Sequence, residues 1–289
     1  MKSFILLLLP LFIYANSVEV QVLGSGGPEF SKRASSSYII WIDGKAKVLI
    51  DAGGGSFLRF SQSGAKIEDL SFIALTHLHI DHSADLASFM KAGFFSPRVN
   101  MLPILGTISS RDFPDIKTFL ERMFGKNGAY AYMSDILSSN SDSFELKAIT
   151  LDQNRNSLII DSIKIESIGT NHGVVPALSF AFIIDGKKIV FSGDTSAKSD
   201  NLIKLTKDAD LFIANHAIPQ YSGDFAKKLH MTPKRIGEIA QKANVKKLIL
   251  SHRMKRTYGK ESQSIGFIRE LYKNEIILAE DLMRIEVKN

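Results

Sequence analysis

Apolar residues fall along the chain in short runs, each closed by a turn signal. "VEVQVLG" (Val18 to Gly24) alternates apolar and polar positions with the period of a strand and stops at the turn "GSGGPE". "SSSYIIWIDG" and "KVLIDAGGG" read as two strands of a hairpin turning at Asp43-Gly44. Further strands are predicted in "SFIALTH", "NSLIIDSIKIESIGTNHG", "LSFAFIIDGKKIVFSGD", "ADLFIANHA" and "VKKLILSH". Helical spacing occupies Ser83 to Lys91, Ile116 to Phe124, Ser199 to Thr206, Pro233 to Ala243 and Ile265 to Lys273. The Pro233 helix carries its own start signal, with Thr232 as N-cap and proline in the first turn. Strands come first in meanders and then in alternation with helices. That order predicts an α/β fold with two packed sheets flanked by helices, a four-layer αββα sandwich.

The first seventeen residues, "MKSFILLLLPLFIYANS", break this pattern. Lys2 precedes an apolar run from Phe4 to Tyr14, and the small residues Ala15 and Ser17 follow. This is the layout of a secretory signal peptide over residues 1–17, leaving one domain over 18–289 and a periplasmic or secreted protein with no stable membrane span once the leader is removed. The composition is that of an ordinary globular chain, 45% hydrophobic and 23% charged. Its formal charge of +6 favours anionic partners only weakly. The chain has no cysteine. An exported core must then stand without disulfides, and a metal site must be built from histidine and carboxylate.

Chemistry concentrates in "THLHIDHSAD" (Thr76 to Asp85). In an extended loop His77 and His79 point the same way and can serve one ion. Asp81 and His82 follow the turn and can face a second ion a few ångströms away. His77, His172, Asp194, His216 and His252 all stand at or just beyond the C-terminal ends of predicted strands, where layered α/β folds assemble their sites. Imidazole with carboxylate suits zinc first, then manganese or iron. "GSGGPE" fails as a dinucleotide loop because Glu29 stands where the last glycine is needed, and no phosphate-binding P-loop occurs.

"THLHIDH" resembles the H-x-H-x-D-H signature of the metallo-β-lactamase superfamily. "VLIDAGGG" (Asp51), "GTNHG" (His172), "FSGDT" (Asp194) and "LILSHRM" (His252) follow it in the family's order. The resemblance implies a hydrolase with two metal ions, Zn2+ or alternatively Mn2+ or Fe2+. One ion would be held by His77, His79 and His172, the other by Asp81, His82 and His252. Asp194 would bridge the two, and a hydroxide between the ions would be the nucleophile. Asp51 would orient a ligand histidine. His216 stands equally open as a supporting residue or a buried structural one.

The oxygen-reducing di-iron branch usually has glutamate where this chain has His79, and the antibiotic-hydrolysing branch uses a cysteine that is missing here. "LHMTPKRIGEIAQKANVKKLILSH" is similar instead to the ribonuclease Z, arylsulfatase and phosphodiesterase side. In that group the counterpart of His230 assists the leaving group, a proton-transfer role that imidazole's ordinary pKa suits, so His230 joins Asp81 as an expected catalytic residue.

The leader, together with the lack of a Gly/Pro-rich tRNA-gripping arm, argues for a small ester substrate, anionic or aromatic, with no nucleic acid; a homodimer stands open as the assembly. Phosphodiester and aryl sulfate lead the substrate classes. A lactone or other carboxylic ester follows, and a non-catalytic metal- or ligand-binding protein is the alternative from another class. Eight aromatic residues between 89 and 132 (Phe89, Phe94, Phe95, Phe113, Phe119, Phe124, Tyr130 and Tyr132) read as core, or else as a wall for an aromatic substrate group.

Overall fold

The structure is a computed structural model that describes residues 17–288; the leader expected over residues 1–17 lies, up to residue 16, outside them. Two mixed seven-stranded sheets pack face to face. The first half of the chain supplies β1 (Val18–Gly24), β2 (Ser37–Ile42), β3 (Lys45–Ile50), α1 (Ser56–Gln62), β4 (Phe72–Ala74), α2 (Ile80–Ser83), α3 (Leu86–Phe94), β5 (Leu102–Thr107), α4 (Ile116–Phe124) and β6 (Leu146–Leu151). The second supplies β7 (Asn156–Ile160), β8 (Ile163–His172), β9 (Val175–Ile184), β10 (Lys187–Phe191), α5 (Asn201–Thr206), β11 (Leu211–Asn215), α6 (Asp224–Leu229), α7 (Pro233–Lys242), β12 (Lys247–Ser251), α8 (Glu261–Arg269), β13 (Glu275–Leu278) and β14 (Arg284–Glu286). The strand orders are β14-β1-β2-β3-β4-β5-β6 and β13-β12-β11-β10-β9-β8-β7.

Why these strands read as nearly continuous apolar runs follows from the layering. Ile40, Val48, Phe72, Phe180, Phe182, Phe191 and Ile213 fill the space between the sheets. Their strand neighbours Ile39, Trp41, Leu49 and Ile73 face the other way, against Phe89, Leu120 and Phe124 of the first helix layer. Val190, Phe212, Leu248 and Leu250 meet Leu202, Ile236, Ile239 and Ile268 of the second. A strand covered on both faces has no polar side to show. The four-layer αββα sandwich expected from the element order is therefore the architecture observed.

The strands that position the site run parallel. β3 pairs with β4, and β10 with β11, β11 with β12, all in the same direction, so their C-terminal ends share one edge of the sandwich. β8 reaches that edge too, because it is antiparallel to β9 and β9 is antiparallel to β10. The last strand, β14, returns to the first sheet and pairs with β1 through Val20↔Ile285, tying the two ends of the domain together.

Several elements differ from the pattern reading. The helix expected over Ser83–Lys91 is split into α2 and α3, and the one expected over Ile265–Lys273 begins at Glu261. β5 went unread because Pro103 and Gly106 look like turn residues, yet a Cβ at Gly106 would lie 2.8 Å from Ile116 Cβ, so glycine is what lets α4 pack on the strand. The aromatic stretch divides: Phe89 and Phe124 are fully buried, whereas Phe95 and Tyr132 are exposed beside the Lys91 ammonium.

Phe182 sits between the sheets among Phe72, Phe180 and Phe191, with ring centroids 5.8–6.0 Å apart. Phe182→Ala should destabilise the domain by about 3–5 kcal/mol, measured by urea unfolding. A change below about 1 kcal/mol would show that the inter-sheet layer does not act as one core.

Candidate metal centre

At the shared strand edge the chain gathers the ligand types that the sequence spacing suggested. His77 follows β4, His79 leads into α2, and α2 carries Asp81 and His82. His172 ends β8, Asp194 follows β10, and His252 follows β12. All are buried except His79, which is half-buried. Their ligand atoms form two clusters, His77-His79-His172 and Asp81-His82-His252, and Asp194 lies against both.

In the first cluster His77 Nε2 is 3.0 Å and His172 Nε2 3.3 Å from His79 Nδ1. Nitrogens around a tetrahedral zinc, each about 2.0–2.1 Å from it, lie roughly 3.3 Å apart. In the second, His252 Nε2 is 3.2 Å from Asp81 Oδ2, and His82 Nε2 is 3.6 Å from the same oxygen. Asp194 divides its carboxylate between them. Oδ1 faces His252 Nε2 at 3.4 Å and His82 Nε2 at 3.7 Å, whereas Oδ2 faces His172 Nε2 at 3.6 Å.

The surroundings fix which nitrogen each ring offers. Asp51 Oδ2 lies 2.7 Å from His82 Nδ1, and Asp51 itself accepts from the Thr76 backbone N–H at 2.7 Å and from the Thr76 hydroxyl. His82 Nε2 is thereby turned into the cluster, where it is buried and has no hydrogen-bond partner among the described residues. A buried ring nitrogen left unpaired is costly unless a cation takes its lone pair. The Leu229 carbonyl, 2.9 Å from His172 Nδ1, plays the same orienting part for His172. Asp51 (φ 55°) and His252 (φ 52°) both adopt the left-handed conformation. Side chains seldom sit there unless their surroundings hold them. For His252 the hold comes from the bond of the next backbone N–H, Arg253, to the Ser25 carbonyl, and from Gly27, where a Cβ would lie 2.9 Å from the ring.

Electrostatics support cation binding. Burial pushes the His77 imidazole well below its usual pKa, and burial likewise lowers His79. Burial also opposes charge on His82, but Asp51, Asp81 and Asp194 overcome it and hold the ring up at about 10. Asp194 is buried as well, yet His252, His82, His230 and His172 keep it well below the carboxylate range. Asp81 lies at about 2, burial being outweighed by His82 and His252.

His230, just after α6, has Nδ1 3.8 Å from Asp194 Oδ2 and joins the edge of the first cluster. Its expected ordinary pKa does not hold: burial pushes it down to about 4, with Asp194 opposing and His252 and His172 adding to the fall. It is a neutral ring at pH 7. His216 lies outside the ligand groups. It is fully buried, and burial, then Arg253, lowers it to about 4. Its neighbour Asn215 is the residue that reaches the site, donating to Asp194 Oδ1 at 2.5 Å. Successive residues of a strand point to opposite faces, so "ANHA" offered two candidates and only one can face the metals. Thr76 and Asn215 were both visible in the motifs without an assignable role.

This fold, carrying this set of buried imidazoles and carboxylates on one strand edge, defines a metal-dependent hydrolase of the metallo-β-lactamase superfamily. Within it, the chain belongs to the family described as Anti-Pycsar protein Apyc1, which it matches over residues 18–275. Ribonuclease Z from Mycolicibacterium gilvum is 26% identical over 93% of this chain and 96% of its own length. Among solved structures, the metallo-β-lactamase fold protein YhfI from Bacillus subtilis superposes with a TM-score of 0.75 at 22% identity, covering 94% of this chain and 99% of its own. The short form of human tRNase Z does so at 0.71 and 22%, covering 94% and 100%.

These relatives overturn one expectation. Nucleic acid was set aside as a partner, yet ribonuclease Z enzymes, whose name states an RNA substrate, match nearly the whole chain. The exclusion rested on the leader and a missing arm, neither of which changes what the centre can hold.

Two outcomes test the centre. Asp51→Asn should weaken zinc binding by about 10–100-fold, read by competition with a chromogenic chelator, because His82 loses its anchor. Zinc must also displace the proton that His82 carries at neutral pH, so binding should release protons and tighten as pH rises from 6 to 8. An affinity independent of pH would contradict that protonation state.

Proposed function

We propose that the chain is a dinuclear zinc phosphodiesterase acting on nucleotide phosphodiesters. The single observation that carries this is the divided Asp194 carboxylate, one oxygen toward His82 and His252 and the other toward His172. His77, His79 and His172 would hold one cation; Asp81, His82 and His252 the other; Asp194 would span both. Two cations held there would supply Lewis-acid polarisation and an activated water for displacement at phosphorus. Manganese or iron would fit the same donors at lower preference. The ribonuclease Z name borne by the sequence relatives favours phosphorus over sulfur or acyl esters.

The protein's own groups do the rest. Asp51 and Thr76 keep His82 aimed, and the Leu229 carbonyl keeps His172 aimed. The neutral His230 ring donates a hydrogen bond to a phosphoryl or leaving oxygen. It becomes a proton donor only when an anionic substrate raises its pKa from about 4. The leader pattern, Lys2 followed by the apolar run to Tyr14, supports an exported enzyme working outside the cytoplasm.

Zinc-loaded protein should hydrolyse bis(p-nitrophenyl) phosphate and RNA, and should leave aryl sulfates, lactones and β-lactams untouched. Asp194→Ala should lose metal and activity together. His230→Ala should keep its metal and lose about 10²-fold in kcat. Full metal content with no turnover of any ester would favour a binding protein and refute the enzyme. Cell fractionation with N-terminal sequencing of the mature chain tests export.

A further inference from the structure

The buried charges of the centre are flanked by exposed apolar side chains. Ile80 lies between His79 and Asp81, Val174 lies two residues after His172, and both are exposed. Phe225 lies five residues before His230 and is 77% exposed. Water solvates such side chains poorly, and their sequence positions all adjoin metal-centre residues.

Phe225 is the most informative. It sits on α6, a six-residue helix that buries none of its side chains, so core packing does not account for the ring. Phe225 and Leu229 are four residues apart and share a helix face. Leu229 anchors that face: its Cδ2 would lie 2.8 Å from a Cβ at Gly173, and its carbonyl is the 2.9 Å partner of His172 Nδ1. Phe225 therefore lies roughly one helical turn, about 5.4 Å of axial rise, before the residue whose carbonyl orients a metal-site histidine. Lys227 and Lys228 bring positive charge to the same helix. Arg256, whose Nε donates to the Ala217 carbonyl, brings a further positive charge close to His230 at the end of that helix. A flat apolar ring beside cations and a phosphoryl-binding centre matches a nucleotide, whose base stacks on aromatic rings while its phosphate meets the charge.

We propose that Phe225 is a specificity-determining residue, the ring on which the nucleobase of a nucleotide phosphodiester stacks while its phosphoryl group occupies the metal centre. This rests on the phosphodiesterase reading above. α6 then serves both substrate and metal: one face presents the stacking ring, and its last carbonyl holds His172.

Two diesters with the same leaving group separate the roles, thymidine 5′-(p-nitrophenyl phosphate) and methyl p-nitrophenyl phosphate. Phe225→Ala should raise KM for the thymidine ester by roughly 5- to 150-fold, the range of one base–aromatic stack, and leave the methyl ester within about twofold. Phe225→Tyr should restore the thymidine ester. Calorimetric binding of thymidine 5′-monophosphate to the zinc-loaded protein should weaken in Phe225→Ala by a similar factor. Equal effects on both esters, or none on either, would overturn the stacking role while leaving the phosphodiesterase intact. Weakened nucleotide binding in a protein that cleaves neither ester would keep the stacking role and overturn the phosphodiesterase.

Discussion

Asp194 is a carboxylate sealed from water among four imidazoles, with each of its oxygens turned to a different histidine group. Alone it would be among the costliest groups in the molecule, because an isolated buried anion forfeits its hydration. Surrounded by His82, His172, His230 and His252 it stays ionised, and its charge in turn supports a proton on His82 and His252. Only a rigid frame can keep this balance, since each imidazole must present one chosen nitrogen. The frame extends outward through Asp51 to Thr76 and through Asn215 to the end of β11.

That requirement explains the sheets. The groups come from loops after β3, β4, β8, β10, β11 and β12 and from the two sides of the sandwich. They meet because parallel pairing brings the ends of β3 and β4 together in one sheet and those of β10, β11 and β12 in the other. The inter-sheet layer of Phe72, Phe180, Phe182 and Phe191 sets how far apart those edges stand.

Much of this was legible because it depends on local spacing. β1 and α4 occupy the residues their apolar periods marked, and the histidine motif lies on the loop its alternation suggested. What could not be read depends on contacts between distant segments. β14 carries only Ile285 inward, so nothing local marks it as a strand. α6 buries no side chain fully and turns only Ala226 and Leu229 partly inward, so its six residues give periodicity little to detect. The low pKa of His230 is likewise a property of burial, which "LHMTP" does not encode. Asn215 and His216 show the limit most sharply, since adjacent polar residues at a strand end are told apart only once the sheet's facing is known.

The substrate question turns on what the centre excludes. Four strand ends (β4, β8, β10 and β12) and the short helix α2 position the ligands, and the wall nearest them at α6 is held mainly through Leu229. A wall that buries no side chain can change sequence without loosening the core, so the specificity of this scaffold is free to vary while its metal chemistry stays fixed. The His230 ring, which burial holds down at about 4, would be raised toward proton donation by an anionic ester and not by a neutral one.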